Sequence, residues 1–382
     1  MHIQRKLTRN DHRAVQILVL ITTVLFGYIL LYMFATIQGD FAAHIGFSIH
    51  FAEYGIARVP HLLYHVLVIA LVKLLPSLDY TSAGLIVCLA FYAVTPIILY
   101  RIVRPAFLGT GWRPSLLASF FTIALMFVTN VNLFTLPQQD LYFGYIAINT
   151  FHNPTMILLK PFALVTFIFA LAVLQNRIAF SPGVALGGGL LTTLCMFAKP
   201  NYMICLLPAL TIISAVKWVR REPMSWRLFV ISLAVPTVVT FVVQYLIAFG
   251  GESDNAVILA PLAWLREPLG ILLIKLILSA LFPLFVCLLH WSTARKDLAL
   301  TIGWLSFAVG AAQVYLLDET GVRSGDGNFV WSAQITLFVL FVYSVIFVLQ
   351  QKGGGWRWWV CVTAFVLHLI SGFVFLVFTL TS

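Results

Sequence analysis

Runs of about twenty apolar residues, none with more than one Asp, Glu, Lys or Arg, recur along the whole 382-residue chain. They fall at 15–37, 81–103, 115–135, 154–174, 227–249, 268–290, 298–316, 329–350 and 356–379. A helix rises 1.5 Å per residue, so each run matches a hydrocarbon core of about 30 Å. Two stretches fit this ruler less simply. Residues 59–76 are short and open with "VPHLLYH"; residues 182–217 are too long for one span and are broken by "AKPN", which predicts two short helices meeting at Pro200. With 61% hydrophobic and 9% charged residues, against about 25% charged in a soluble domain, the chain cannot clothe a water-facing globule. The runs are continuous, unlike the roughly ten-residue alternating segments of a membrane β-barrel. The expected fold is therefore all-α, a polytopic transmembrane helix bundle of about 11 spans (range 10–12). It forms a single domain over 1–382, with interfacial helices in a first outward loop at 38–76.

The formal net charge of +10 comes from loops, not from a basic stripe interleaved with aromatics, so no nucleic acid is expected as a partner. Lys and Arg cluster in the leader (Arg5, Lys6, Arg9, Arg13), "RIVRPAFLGTGWR", "KWVRRE", "STARK" and "QKGGGWR". These are expected to face the cytoplasm. The apolar run behind the leader exceeds a signal-peptide core and reads as a retained first span. The expected setting is thus a cell membrane, a bacterial inner membrane, with the N-terminus cytoplasmic. One conflict remains, because spans at both 59–76 and 81–103 would return the chain to the wrong side. The favoured resolution keeps 59–76 in, or re-entering from, the outer interface. The five cysteines lie in apolar runs without CxxC spacing and read as small buried hydrophobes.

The outward loops hold most of the acids, together with His44, His50, His61 and His152, which gives the bundle one chemically rich face. In "GDFAAHIGFSIHFAEYG", Asp40 stands where it can cap a helix, and His44 follows one turn later; His61 and His65 repeat the four-residue spacing. One reading is an N-cap with interfacial histidines. The other is a carboxylate that takes a proton from an incoming hydroxyl, with His44 as its partner. Metal ligation of a divalent ion by Asp40, His61 and His65 is a third, carried only by ligand type and HxxxH spacing. In "LPQQDLYFGYIAINTFHNPTMILLKPF", Asp140 opens a polar loop, and His152 and Asn153 precede Pro154 at a helix N-terminus suited to a phosphate. Lys160, two turns inside, either snorkels outward or faces an anion in a cavity. Lys199 lies beside the Pro200 break. "LLDETGVRSGDGNFVW" places Glu319, Arg323 and Asn328 among glycines, and Arg323 offers a fork for phosphate. No Walker, GxGxxG, GxSxG or HExxH motif occurs at a usable place.

An early span, then an outward loop with an acid near its start ("GDFAAHI"), then a helix opening with Pro and aromatics ("VPHLLYHVLV") resembles the GT-C superfamily of membrane glycosyltransferases. The "KPN" break and the last outward loop with its Arg are similar to that plan. The resemblance implies an enzyme of cell-envelope glycan biosynthesis working on the extracytoplasmic face. It would move a sugar from a polyprenyl-phosphate or polyprenyl-diphosphate donor to a hydroxyl of a glycan, lipid or protein acceptor, among membrane lipids. It further implies that Asp40 activates the acceptor or binds metal, and that Lys199 and Arg323 bind the lipid phosphate. The chain departs from the family in having Glu53, Arg58 and a single Pro60 where a second acid and "KPP" are usual. Two other functions compete: a transporter or flippase for a lipid-linked sugar or small anion, and a polysaccharide polymerase.

Overall fold

A computed structural model describes residues 7–36, 40–132, 144–249, 256–263, 265, 267–321, 324–325, 327–351 and 353–381. In chain order its main helices are α1 (Arg9–Ala35), α2 (Phe41–Tyr54), α3 (Leu63–Leu74), α4 (Tyr80–Val103), α5 (Trp112–Phe127), α6 (Pro154–Leu174), α7 (Pro182–Ala198), α8 (Met203–Val219) and α9 (Trp226–Phe249). α10 (Leu269–Ser279), α11 (Leu281–Leu289), α12 (Leu298–Leu316), α13 (Val330–Gln350) and α14 (Trp356–Thr381) follow. The strands β1 (Val257–Leu259) and β2 (Leu317–Glu319) pair antiparallel, Val257 opposite Glu319. Among the described residues seven helices are long and apolar enough to cross a membrane, or eight if the bent pair α10–α11 is one span. The chain is thus a multi-pass helical bundle built around α13, which is buried over nearly its whole length. Outward faces of α1, α9 and α14 expose Leu, Val, Ile and Phe, as contact with lipid requires.

Polar residues fix the helix starts. Thr8 and Asp11 form a reciprocal capping box on α1; Asp79, Asn153, Ser181 and Asp297 cap α4, α6, α7 and α12 through their side chains. α7 and α8 meet at a break over Lys199–Tyr202, as "AKPN" predicts.

Two expected spans are modified. The run 115–135 is helical only to Phe127, because α14 presses on that point: a Cβ on Gly372 would lie 1.8 Å from the Phe127 carbonyl oxygen. The chain then continues extended and buried, its N–H groups at Thr129, Val131 and Asn132 donating to His368 O (3.3 Å), Leu278 O (3.2 Å) and Ser371 Oγ (3.0 Å). The run 268–290 bends by 74° between α10 and α11. Pro283 has no N–H for the Ser279 carbonyl, and the Phe282 N–H turns to His368 Nε2 at 3.3 Å.

α3 does not carry the chain across the bundle. Asp11 of α1 contacts Tyr100 and Arg104 at the far end of α4, so the two helices run antiparallel and α4 begins beside the end of α1. The Tyr64 hydroxyl lies where a Cβ on Gly84 would be, 2.4 Å away, which sets the first turn of α3 against the first turns of α4. Only residues 75–79 join α3 to α4, a reach of about 20 Å against a core of about 30 Å. α3 starts and finishes at the same end of the bundle.

A candidate active site in a cavity at one end of the bundle

The C-terminal ends of α7, α9 and α12, the N-terminal ends of α6, α8 and α13, and the first turns of α2 enclose a cavity of about 920 Å³. The basic loops attach to the other ends of those crossing helices, so the cavity lies opposite them. Its polar wall includes Asp40, His44, Arg58, His61, Asn153 and Lys199, and farther round Asn201, Gln244, Glu319 and Asn328. α9 supplies an apolar wall with Phe241, Tyr245, Ile247, Ala248 and Phe249.

Asp40 holds the N-cap position of α2, yet its carboxylate makes no capping bond. The backbone places it differently: its N–H donates to the His152 carbonyl (3.1 Å), and the Asn153 carboxamide donates to its Oδ2. Asn153 in turn caps α6, its Oδ1 accepting from the Met156 N–H (2.9 Å) and the Thr155 hydroxyl (2.7 Å). Lys199 Nζ donates to the same Thr155 Oγ1 at 3.1 Å and lies 4.7 Å from the centre of the Trp331 ring. A chain of donors therefore runs Lys199–Thr155–Asn153–Asp40. Among the described residues the ion pairs are Asp11–Arg104, Lys217–Glu222 and Lys275–Glu267, so Asp40 and Lys199 share the cavity without a direct ion pair. Burial pulls the Lys199 ammonium down to about 8, and the Asp40 carboxylate opposes that pull.

His44 packs against His65, Nδ1 to Nε2 at 3.4 Å, with the His61 ring 5.7 Å away. Burial first, then the neighbouring His65 and the Lys199 charge, hold the His44 imidazole well below the usual histidine range. The His152 ring lies tilted 5.6 Å from Trp331, and burial lowers it as well, against the pull of Asp40. At the far wall the Asn328 carboxamide donates to Glu319 Oε2, and the Asn201 carboxamide donates to Asn328 O (3.0 Å) and Ser332 Oγ (2.9 Å).

The structure thus gathers Asp40, His44, His61, Asn153, Lys199, Glu319 and Asn328 around one cavity, with His65 and His152 directly behind its wall. Lys160 is not among them. Buried in α6, it lines a separate small cavity with Tyr92, Asn149 and Phe338 and donates to Asn149 Oδ1, and Asn149 caps the end of α5 through the Leu125 and Val128 carbonyls. Asp140 and Arg323 lie outside the described residues. Among the described residues no group of three His, Cys, Asp or Glu converges as a metal-ligand set. His44 turns one ring nitrogen to His65, and Asp40 takes an amide donor. Sequence reading overlooked Ser48, Asn201, Gln244 and Trp331. A lone Gln in the apolar run of α9 was a usable signal, as was Ser48 one turn beyond His44. Trp331 carried none.

No family model, curated protein or solved structure matches the chain.

Proposed function

We propose that the protein is a membrane glycosyltransferase of GT-C type that moves a sugar from a polyprenyl-phosphate or polyprenyl-diphosphate donor to an acceptor hydroxyl. The observation that carries this reading is Asp40: a carboxylate released from capping, held on a cavity wall by Asn153, with the Lys199 ammonium, which forms no ion pair among the described residues, reached through a short donor chain. Displacement at an anomeric carbon asks for that pair. Asp40 takes the proton of the acceptor hydroxyl while the acceptor oxygen bonds to the anomeric carbon. The bond from that carbon to the phosphate oxygen breaks, and Lys199 faces the negative charge left on the phosphate. The apolar wall of α9 suits an isoprenoid tail entering from lipid.

The positive-inside rule then sets the basic loops in the cytoplasm and the cavity on the extracytoplasmic face. Seven helices are long enough to cross, or eight with the bent pair; on this reading the shorter helices α5, α7 and α8 would cross as well, giving eleven, with α3 at the outer interface.

The 74° break between α10 and α11 and the break at Lys199–Tyr202 favour a second reading, a transporter or flippase, since broken helices line such pathways. Purified protein in detergent, with no gradient to use, separates the two. Product from a radiolabelled polyprenyl-phosphate sugar and a hydroxyl acceptor supports the transferase; binding of that donor without turnover supports transport.

A further inference from the structure

Ser48 decides where the hydrogens of two buried histidines sit. Its Oγ lies 2.9 Å from the His44 carbonyl oxygen and 2.9 Å from His65 Nδ1. A carbonyl oxygen only accepts, so the single hydroxyl hydrogen goes there, and His65 Nδ1 must carry a hydrogen to donate to Ser48 Oγ. A neutral His65 then has a bare Nε2, which accepts from His44 Nδ1 at 3.4 Å. That places the His44 hydrogen on Nδ1, and the partner of one ring nitrogen fixes the state of the other. Burial disfavours a second proton on either ring.

We propose that Ser48 and His65 lock His44 as its Nδ1–H tautomer, leaving His44 Nε2 as a bare acceptor for an O–H or N–H group of the ligand beside Asp40. His44 lines the same cavity as Asp40, so these two side chains add acceptors to a wall that also carries the donors of Asn153 and Lys199. The complementary ligand carries at least two donors, as a polyol or amino alcohol such as a sugar does. An ether or carbonyl at the second position leaves His44 Nε2 unpaired and is rejected. The sugar-like ligand rests on the transferase reading, whereas the tautomer does not. His65 and Ser48 are positioning residues in this scheme, since neither reaches the ligand.

Nitrogen-15 histidine NMR of the full chain in nanodiscs at neutral pH reads the tautomers directly, with signals assigned through His44→Gln and His65→Gln. The expected spectrum has both rings as Nδ1–H, the form that free neutral histidine disfavours. Ser48→Ala turns that single form into a mixture at both rings, and Ser48→Thr, which keeps the hydroxyl, restores it. An Nε2–H signal from His44 in the unaltered protein overturns the proposal, and so does an unchanged spectrum in Ser48→Ala. For the ligand, methyl glucoside serves as the probe: it shifts His44 Nε2, and its per-O-methylated analogue does not. Equal shifts, or none, overturn that half. The expected tautomers in a protein that transfers no sugar refute the transferase reading alone.

Discussion

Asn153 performs two tasks that substitution can separate. Its Oδ1 caps α6 by accepting from Met156 N–H and Thr155, while its Nδ2 donates to the Asp40 carboxylate. Asn153→Ala removes both. The lost cap costs about 1 kcal/mol of stability, and the lost bond to a charged acceptor is worth about 1.5–3 kcal/mol. If that second quantity serves to align Asp40 for proton transfer, the rate falls by roughly 10- to 150-fold. Asn153→Asp keeps a good capping acceptor at a helix N-terminus, where negative charge is favourable. It removes the donor to Asp40 and sets two carboxylates against each other. The expected result is thermal unfolding close to that of the unaltered protein, followed by tryptophan emission in detergent, together with a transfer rate at least as depressed as in Asn153→Ala. An Asn153→Asp protein that transfers sugar at the original rate refutes the claim that this amide positions Asp40.

At the opposite end, Asp11 accepts from Thr8, Tyr100, Arg104 and Ser115, tying α1 to α4 and α5. Asp11→Ala strands the buried Arg104 Nε, Tyr100 and Ser115 donors and is expected to cost about 3–5 kcal/mol, read as a large drop in the thermal midpoint; loss under about 1 kcal/mol contradicts the network. Gly372→Ala drives a methyl into the Phe127 carbonyl and is expected to cost at least about 1–3 kcal/mol, unless α14 and α5 separate. Lys199 is held at about 8, below the ordinary lysine value of 10.5, so its charge is lost as pH rises through about 8. Binding of a polyprenyl phosphate, followed by scintillation proximity, should weaken over that range, and Lys199→Arg, which stays charged, should abolish the weakening. The sign for stability is opposite: the unfolded chain binds the extra proton between about 8 and 10.5, so this group favours the fold as pH rises across that window.

Much of the architecture is legible because a lipid-spanning helix leaves a simple mark, a run of the right length. The run 154–174 coincides with α6, and 298–316 with α12. Where α5 stops at Phe127 is not legible, since the cause is a glycine 245 positions away in α14. The bend at Ala280 left a local hint in Pro283, which a hydropathy run does not weigh. At the site, Asp40, His44 and Lys199 stood out as polar residues at the edges of apolar runs, and the fold brings them to one cavity. The chain of Thr155 and Asn153 between cation and carboxylate was hidden, because it depends on α6 starting beside α2. Lys160 lies apart from that cavity, in a small pocket where its ammonium donates to Asn149 at the end of α5.

In the proposed reaction Asp40 takes the proton of the acceptor hydroxyl. The most direct test compares the unaltered protein with Asp40→Asn, purified in detergent, for product formed from a radiolabelled polyprenyl-phosphate sugar and a hydroxyl acceptor. The account predicts product from the first and none from the second, with both proteins folded and both binding donor. Transfer by Asp40→Asn at the original rate contradicts it.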